Sequence, residues 1–207
     1  MTGAVEVKQS DPSENSVTGP NLIENRGGGN SAAARSAAGG KRAQVDCGDL
    51  DMRIARDGTW FYRGSSIGRL PLVKLFASVL RREADDRYLL VTPAERGRIE
   101  VEDAPFVAVA LTIEGEGREQ QLIFRTNLDD IVTAGPDNPL RVETAASGEP
   151  APYILVRDRL EARLARSVFY DLVELGREER IGNTTQFGVW SKGMFFRLGD
   201  PGPDWEC

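Results

Sequence analysis

Arg53–Gly64 reads RIARDGTWFYRG, and Tyr153–Ala165 reads YILVRDRLEARLA. In both stretches an Arg-Asp pair follows a short apolar run and precedes a second run typical of a β-strand. Asp-Gly between apolar runs is a strong hairpin signal, because a type I′ turn needs residues that tolerate positive φ. We therefore expect hairpins about Asp57-Gly58 and about Asp158-Arg159. Since Arg tolerates positive φ less well than Gly, the second turn should differ in type.

A helix is predicted after each hairpin, because apolar residues then recur with the spacing of one helical face. In the first helix, within Leu70–Arg82, these residues are Leu72, Leu75, Phe76, Val79 and Leu80. In the second helix, for which Ser167 is the expected N-cap, they are Val168, Phe169, Leu172, Val173 and Leu175.

Two further strands follow each helix, so the order strand, strand, helix, strand, strand is predicted twice. The pattern aligns Arg56-Asp57 with Arg157-Asp158, Leu75-Phe76 with Leu172-Val173, and Tyr88–Val91 with Phe187–Trp190. Five elements in the same order are harder to obtain by chance than one Arg-Asp pair. We therefore interpret the chain as a duplication of a ββαββ unit.

The two units are separated by an insert of about residues 106–150. Two strands are expected about Gly115-Glu116-Gly117, then a helix-like turn and a strand in DDIVTAGPDNPLRVE, then a loop in TAASGEPAP. Short connections favour antiparallel pairing. The predicted class is therefore α+β, with two domains of antiparallel sheets, helices packed on one side, and a second domain enlarged by the extra strands.

The predicted boundaries are a disordered tail at 1–45, a first domain at 46–104, a second domain at 105–199 and a C-terminal tail at 200–207. Residues 1–45 contain no Phe, Trp or Tyr and include RGGGNSAAARSAAGGKR. Such a composition buries too little apolar surface to offset the entropy lost on ordering. A short helix near SAAARSAA is the weaker alternative, since it would be marginal in isolation.

Composition excludes several classes of protein. The 207 residues include no His, so catalysis and metal binding by imidazole are excluded. The two cysteines, Cys47 and Cys207, cannot form a four-cysteine zinc site. The net charge of −6 does not suggest a binder of duplex nucleic acid or of a membrane surface. Because we find neither a signal peptide nor a membrane span, we expect the cytoplasm as the location.

The segment FRTN, Phe124–Asn127, is a candidate anion site at the end of a predicted strand. Arg125 could bind a phosphate or carboxylate through two hydrogen bonds, with Thr126 or Asn127 adding others. Strand alternation should point Arg125 away from the core face that Phe124 occupies. The alternative is that Asn127 caps a helical turn over Asp129-Asp130.

The connection VTPAERG, Val91–Gly97, is the second candidate, because Thr92 and Glu95 would lie on a hairpin loop longer than pairing requires. A plain surface loop is its alternative. Arg157 is a third candidate ligand for an anion, although Asp57 and Asp158 beside the two arginines are better explained by turn chemistry than by catalysis. Acidic pairs such as Glu102-Asp103 have no spacing that predicts a metal site, and no cofactor is expected.

Aromatic residues lie on both faces of the strand Trp60–Tyr62, and MFFR at Met194 repeats this arrangement. One face of each strand should pack in the core. The other face is either covered by a second element or available to stack on a ligand.

Several segments resemble a bacterial family known as domain of unknown function 1285, over about Asp46 to Gly199. They include CGDLDMRIARDGTWFYRGSSIGRLPLVKLFASVLRRE, YLLVTPAERGRIEVEDAPFVAV, LIFRTNLDDIV and GVWSKGMFFRLG. The resemblance implies two domains with a duplicated core, the second superficially like a pleckstrin-homology fold. It also implies a ligand site in the interdomain cleft for a nucleotide-like molecule, a signalling role, and no assigned reaction. The tail departs from the family, since the helix and Trp-Asn-Pro-like segment with which members begin are not found.

Nucleotide binding depends on that resemblance alone, because no P-loop is present and no Gly-x-Gly-x-x-Gly follows a strand. Two functional hypotheses remain. The first is a non-enzymatic module that binds a nucleotide-like or other small anionic molecule in the cleft, with a role in signalling. The second is a protein-interaction adaptor that binds its partner by strand addition or through the tail. An enzyme that uses carboxylates alone is the least favoured class.

Overall fold

A computed structural model describes residues 44–144 and 148–199. Apart from Gln44 and Val45, the predicted N-terminal tail lies outside the described residues, as does the predicted tail at 200–207. Within the described ranges, no helix is long and apolar enough to cross a membrane.

The first half of the described chain forms sheet A, and the helix α1 (Leu70–Ser78) follows its third strand in the sequence. The order of the strands in the sheet is 3-2-1-6-5-4. The first and sixth strands are parallel, and the other neighbours are antiparallel. The strands are β1 (Val45–Ile54), β2 (Trp60–Tyr62), β3 (Ser65–Ser66), β4 (Leu80–Arg82), β5 (Tyr88–Val91) and β6 (Glu95–Val101).

The second half forms sheets B and C, with α2 (Arg166–Glu174) between them in the sequence. In sheet B the strand order, numbered along the chain, is 10-11-12-7-8-9. The seventh and twelfth strands of the chain pair in parallel, and the other neighbours in this sheet are antiparallel. Sheet B contains β7 (Phe106–Glu114), β8 (Gln121–Thr126), β9 (Ile131–Thr133), β10 (Leu140–Thr144), β11 (Pro150–Arg157) and β12 (Leu160–Leu164). Sheet C contains β13 (Arg177–Ile181), β14 (Thr184–Ser191) and β15 (Met194–Gly199). The predicted α+β class with mostly antiparallel sheets is therefore confirmed.

The two hairpin turns differ in type, as expected, but the types are the reverse of the prediction. In the first turn only Gly58 has positive φ, at 82°, and its N–H donates to the Ala55 carbonyl over 2.9 Å. This is the geometry of a longer loop that ends in a left-handed glycine. In the second turn Asp158 and Arg159 both have positive φ, 41° and 66°, as a type I′ turn requires. The tight pairing of β11 with β12 thus holds an arginine in a conformation that it adopts unfavourably in isolation.

Three local predictions are wrong. The first helix ends at Ser78, and Leu80–Arg82 forms β4, where the fully buried Leu80 pairs with Leu90. The helix-like turn in the insert is instead the strand β9, in which exposed Ile131 alternates with buried Val132. The second helix begins two residues earlier than expected, with Ala165 rather than Ser167 at its N-cap. Short apolar runs satisfy a strand or a helix equally well, so tertiary burial selects between them.

The predicted strands recur about each helix, but β3 and β4 in the first half and β13 in the second are additional to the predicted order. Tyr88–Val91 and Phe187–Trp190 share one burial pattern, with two buried residues between two half-buried ones. Each helix has two buried residues, which are Val73 and Ala77 in α1 and Val168 and Leu172 in α2. By position in the helix, Leu172 therefore corresponds to Ala77 rather than to Leu75. Sheet neighbours differ as well. The strand β6 pairs with both β5 and β1, whereas β15 pairs with β14 in a sheet that does not contain β11 or β12.

One continuous apolar cluster connects the two halves of the described chain. It includes Trp60 and Val73 from the first half and Phe106, Phe124 and Leu172 from the second. The core is therefore shared, and the junction between the domains is packed.

Candidate functional site

A cavity of about 540 Å³ lies between α1 and sheet A. Apolar side chains from both elements form most of its wall, and polar residues border it at the β5–β6 turn. It is lined by Cys47, Leu50, Met52, Tyr62, Ile67, Leu72, Phe76, Val79, Leu90, Thr92, Glu95, Arg96 and Gly97.

The helix supplies one wall through the apolar stripe that the sequence marks. Leu72, Phe76 and Val79 from this stripe border the cavity, whereas Val73 and Ala77 are buried in the core. Leu75, which the spacing places on the same helical face, is 61% exposed. The second helix, α2, packs directly on β7. The apolar stripe is thus visible in the sequence, but its spacing does not indicate that it borders a cavity.

Sheet A supplies the floor of the cavity. Leu90 and Gly97 are opposite each other in the pairing of β5 with β6, so both face the cavity. A Cβ atom at Gly97 would lie 2.5 Å from Cγ of Leu50. Gly97 therefore makes room for the Leu50 side chain to cross over β6, a requirement that no pattern in the sequence indicates.

Thr92 and Glu95, two of the predicted ligand residues, lie at the rim of this cavity. The Thr92 hydroxyl accepts a hydrogen bond from the Glu95 N–H over 3.0 Å, and the Gln44 side chain donates to the Thr92 carbonyl over 2.6 Å. The expected long loop is wrong, because β5 ends at Val91 and Glu95 already begins β6. The turn is therefore a rigid part of the rim.

The two charged residues at the rim face different ways. Alternation along β6 places Glu95 on the cavity face with Gly97 and places Arg96 on the opposite face. Arg96 pairs with Asp46 over 3.2 Å, and the pKa of Asp46 is lowered, chiefly by the Gly48 N–H and also by Arg96. None of the cations in residues 44–144 and 148–199 pairs with the Glu95 carboxylate. Both residues line the cavity, and Glu95 is the one whose charge no cation of the described residues neutralises.

Cys47 lies at the mouth of the cavity as an exposed free thiol. Behind the opposite wall, the buried Trp60 ring stacks on Phe76 with 6.3 Å between ring centroids. Tyr62, on the same strand as Trp60, is 45% exposed and borders the cavity. Trp60 and Tyr62 are two residues apart and therefore share one face of β2, which is in the core at Trp60 and borders the cavity at Tyr62. Phe61 lies on the other face, where the Arg53 guanidinium covers it at 4.4 Å from the ring centroid.

The other four predicted ligand residues meet at the junction between the domains, away from the cavity. Arg125 is exposed and pairs with Asp129 over 3.4 Å, while Phe124 is fully buried, as alternation predicts. Thr126 is also fully buried, and its hydroxyl accepts hydrogen bonds from the Leu128 and Asp130 N–H groups. Both residues are thus engaged by the loop that follows β8.

Asn127 is not a helix cap, because the strand β9 follows it. Its Oδ1 accepts from the Val107 N–H over 3.0 Å, and its own N–H donates to the Val107 carbonyl over 2.8 Å. Its Nδ2 reaches the Gly58 carbonyl in the first domain over 3.4 Å. Asn127 therefore connects the first hairpin turn to β7.

Arg157 crosses the junction to α1. Its Nη2 donates to the Ala77 carbonyl over 2.9 Å, and its Nη1 lies 3.3 Å from Oδ2 of Asp130. The guanidinium lies 4.9 Å from the centroid of the Phe106 ring. Each predicted residue at the junction is thus bound to protein groups.

Other charged contacts fill the region where the resemblance implies a ligand cleft. Arg82 pairs with Glu161 over 3.5 Å, and Arg159 pairs with Asp86 over 3.2 Å. Asp103 accepts a hydrogen bond from the Tyr153 hydroxyl over 2.7 Å. In the part of the chain that the structure describes, no group of three or more metal-ligating side chains is found.

Comparison with known proteins places the chain in a family. The N-terminal domain model of DUF1285, a domain of unknown function, matches residues 43–104, and the C-terminal domain model matches residues 105–198. No curated protein matches the chain. A crystal structure of a DUF1285 family protein from Silicibacter pomeroyi DSS-3 is 51% identical, covering 76% of this chain and 84% of that chain, with a TM-score of 0.70. One from Shewanella baltica OS155 is 26% identical, covering 61% and 91%, with a TM-score of 0.48. The chain therefore belongs to the DUF1285 family.

Proposed function

We propose that the protein binds, without converting it, a small molecule with an apolar body and a cationic end group in the cavity beneath α1. The cavity itself carries this proposal. Its volume of about 540 Å³ is within the range of roughly 300–1,000 Å³ typical of small-molecule sites. Like those sites, it combines an apolar wall with a few polar groups at the entrance.

The volume also limits the size of the ligand. At about 30 Å³ for each water-sized group, a cavity of about 540 Å³ holds roughly 18 such groups. A chain of about ten carbons fits within this space. Because each buried methylene contributes up to about 0.8 kcal/mol, the apolar body supplies most of the affinity.

Glu95 supports the choice of a cationic end group, since it lines the cavity and its carboxylate pairs with no cation of the described residues. Exposed ion pairs contribute at most about 1 kcal/mol, so the end group selects among ligands rather than determining affinity. The nucleotide-like anion and the signalling role stay predictions from the resemblance, as does the cytoplasmic location. Arg125 and Arg157, the cations expected to bind such an anion, are paired with Asp129 and Asp130.

Calorimetry with decylamine, decanol and decanoate tests the proposal, because the three probes share a chain and differ in charge. We expect decylamine to bind most tightly, and Glu95→Gln to reduce its advantage over decanol by up to about fivefold. Binding of decanoate at least as tight as that of decylamine would overturn the choice of end group.

Two matched tryptophan variants test the location. Leu72→Trp fills the cavity and should abolish binding, whereas Leu75→Trp, on the exposed side of the same helix, should preserve it. In a Cys207→Ser background, decylamine should also slow alkylation of Cys47 at the mouth. Equal binding by the two tryptophan variants would place the ligand elsewhere and refute the proposal.

A further inference from the structure

The helix α1 has contacts on two sides that serve different parts of the molecule. Leu72 and Phe76 border the cavity. From the second domain, Asp129 Oδ2 lies 2.7 Å from Nζ of Lys74, and Arg157 Nη2 donates to the Ala77 carbonyl over 2.9 Å. The element that forms the cavity wall is therefore also the element that the second domain holds.

The contact with Arg157 suits the end of a helix. The last carbonyls of a helix lack partners within it, and a cation is favourable there because of the helix dipole. Arg157 is itself fixed by Asp130 and by the Phe106 ring beneath its guanidinium. Its side chain is 30% exposed, so solvent screens this contact less than a surface pair.

The loop that presents Asp129 and Asp130 is anchored on both sides. The Thr126 N–H donates to the Asp130 carbonyl over 2.9 Å, and Asn127 is bonded to Val107 in both directions. Thr126 is fully buried, which shields these bonds from water. The second domain thus offers α1 a rigid support.

On its other side α1 meets sheet A only in part. It has nine residues, and the side chain of Arg69 at its N-cap makes no capping hydrogen bond. Phe76 stacks on Trp60 of β2, but the cavity lies between the Leu72 end of the apolar stripe and sheet A. Because burial of apolar surface is favourable, the helix gains by moving onto the sheet unless another contact prevents it.

Building on the proposed function, we infer that the second domain holds α1 off sheet A and thereby keeps the cavity open. Arg157 is the principal positioning residue, and the Lys74–Asp129 pair assists it. Because coupling between sites is reciprocal, a ligand that requires the open cavity also strengthens the contacts between α1 and the second domain. The segments at residues 124–130 and 156–158 then affect ligand binding through their contacts with α1 rather than by touching the ligand.

Decylamine affinity of junction variants tests the coupling. Arg157→Leu should weaken binding at least fivefold, the lower end of typical coupling between sites. Arg157→Lys should restore part of the affinity, since an ammonium can still donate to the Ala77 carbonyl. The matched control is Arg159→Gln, which removes the junction ion pair with Asp86 but no contact of α1, and its affinity should stay within twofold of wild type.

A measurement without ligand separates this inference from the proposed function. In a background of Cys47→Ser and Cys207→Ser, Leu90→Cys places a thiol on the cavity floor for alkylation by N-ethylmaleimide. Adding Arg157→Leu should slow its alkylation at least fivefold, and adding Arg159→Gln should not. An unchanged rate with Arg157→Leu overturns the inference even if decylamine binds. A slowed rate supports it even if decylamine fails to bind, an outcome that refutes only the proposed function.

Discussion

Gly97→Ala tests whether the space beneath α1 exists. The new Cβ would lie 2.5 Å, 2.6 Å and 2.7 Å from three carbon atoms of Leu50. Non-bonded carbons prefer separations of about 3.5–4.0 Å, so the Leu50 side chain must move by roughly 1 Å. Since Leu50 also lines the cavity, it can move into open volume.

The cost follows from that available space. Overpacking a filled core costs about 1–3 kcal/mol, and a neighbour that can relax belongs at the lower end. Removing a glycine returns about 0.4–1 kcal/mol by restricting the unfolded chain. We therefore expect a net loss of at most about 0.6 kcal/mol in the free energy of unfolding. Decylamine should bind more weakly, because Leu50 then occupies part of the cavity.

Two other glycine-to-alanine variants give a lower and an upper reference for this change in the free energy of unfolding, measured in urea. At Gly68 a Cβ meets nothing within 4 Å, so Gly68→Ala should be neutral or stabilising. At Gly188 a Cβ would clash with the backbone carbonyl of Phe196, which cannot move aside, and we expect a loss of about 3 kcal/mol or more. If Gly97→Ala costs as much as Gly188→Ala, Leu50 has no space to enter and the cavity argument fails.

Four further variants test the junction. Gly58→Ala should cost about 1–3 kcal/mol, because φ is 82° there and a Cβ would lie 2.5 Å from Nδ2 of Asn127. Asn127→Ala should cost about 1–3 kcal/mol, because the Val107 N–H loses its acceptor. The Gly58→Ala/Asn127→Ala double variant should lose less stability than the sum of the two single variants, because the clash with the Asn127 side chain is gone. Additive losses in urea unfolding would contradict this. Burial, with the hydrogen bond to Asp103, raises the pKa of Tyr153 to about 12. Its contribution to stability should therefore be complete below pH 10 and be lost as the pH rises through 12, and absorbance titration against Tyr153→Phe should show one phenol ionising near pH 12; ionisation of every tyrosine near pH 10 would refute it.

Local patterns in the sequence were sufficient for most elements of the fold. Alternation and turn residues predicted the hairpins about Asp57-Gly58 and Asp158-Arg159, and the helical stripe of Leu72, Phe76 and Val79 located α1. These signals depend on neighbours within a few residues, so the chain carries them without its tertiary structure. The family resemblance also agrees with the comparison.

Tertiary structure decided the remaining features, because they depend on residues distant in the sequence. Leu80–Arg82 is a strand since Leu80 finds its pairing partner and its burial in β5, and the type I′ turn falls on Arg159 since β11 and β12 pair closely there. Part of the stripe on α1 borders a cavity, and Arg157, eighty residues beyond Ala77, contacts the helix from its other side. Whether a cation binds a ligand or a helix carbonyl is set by what lies within hydrogen-bond distance, and a one-dimensional pattern does not contain that distance.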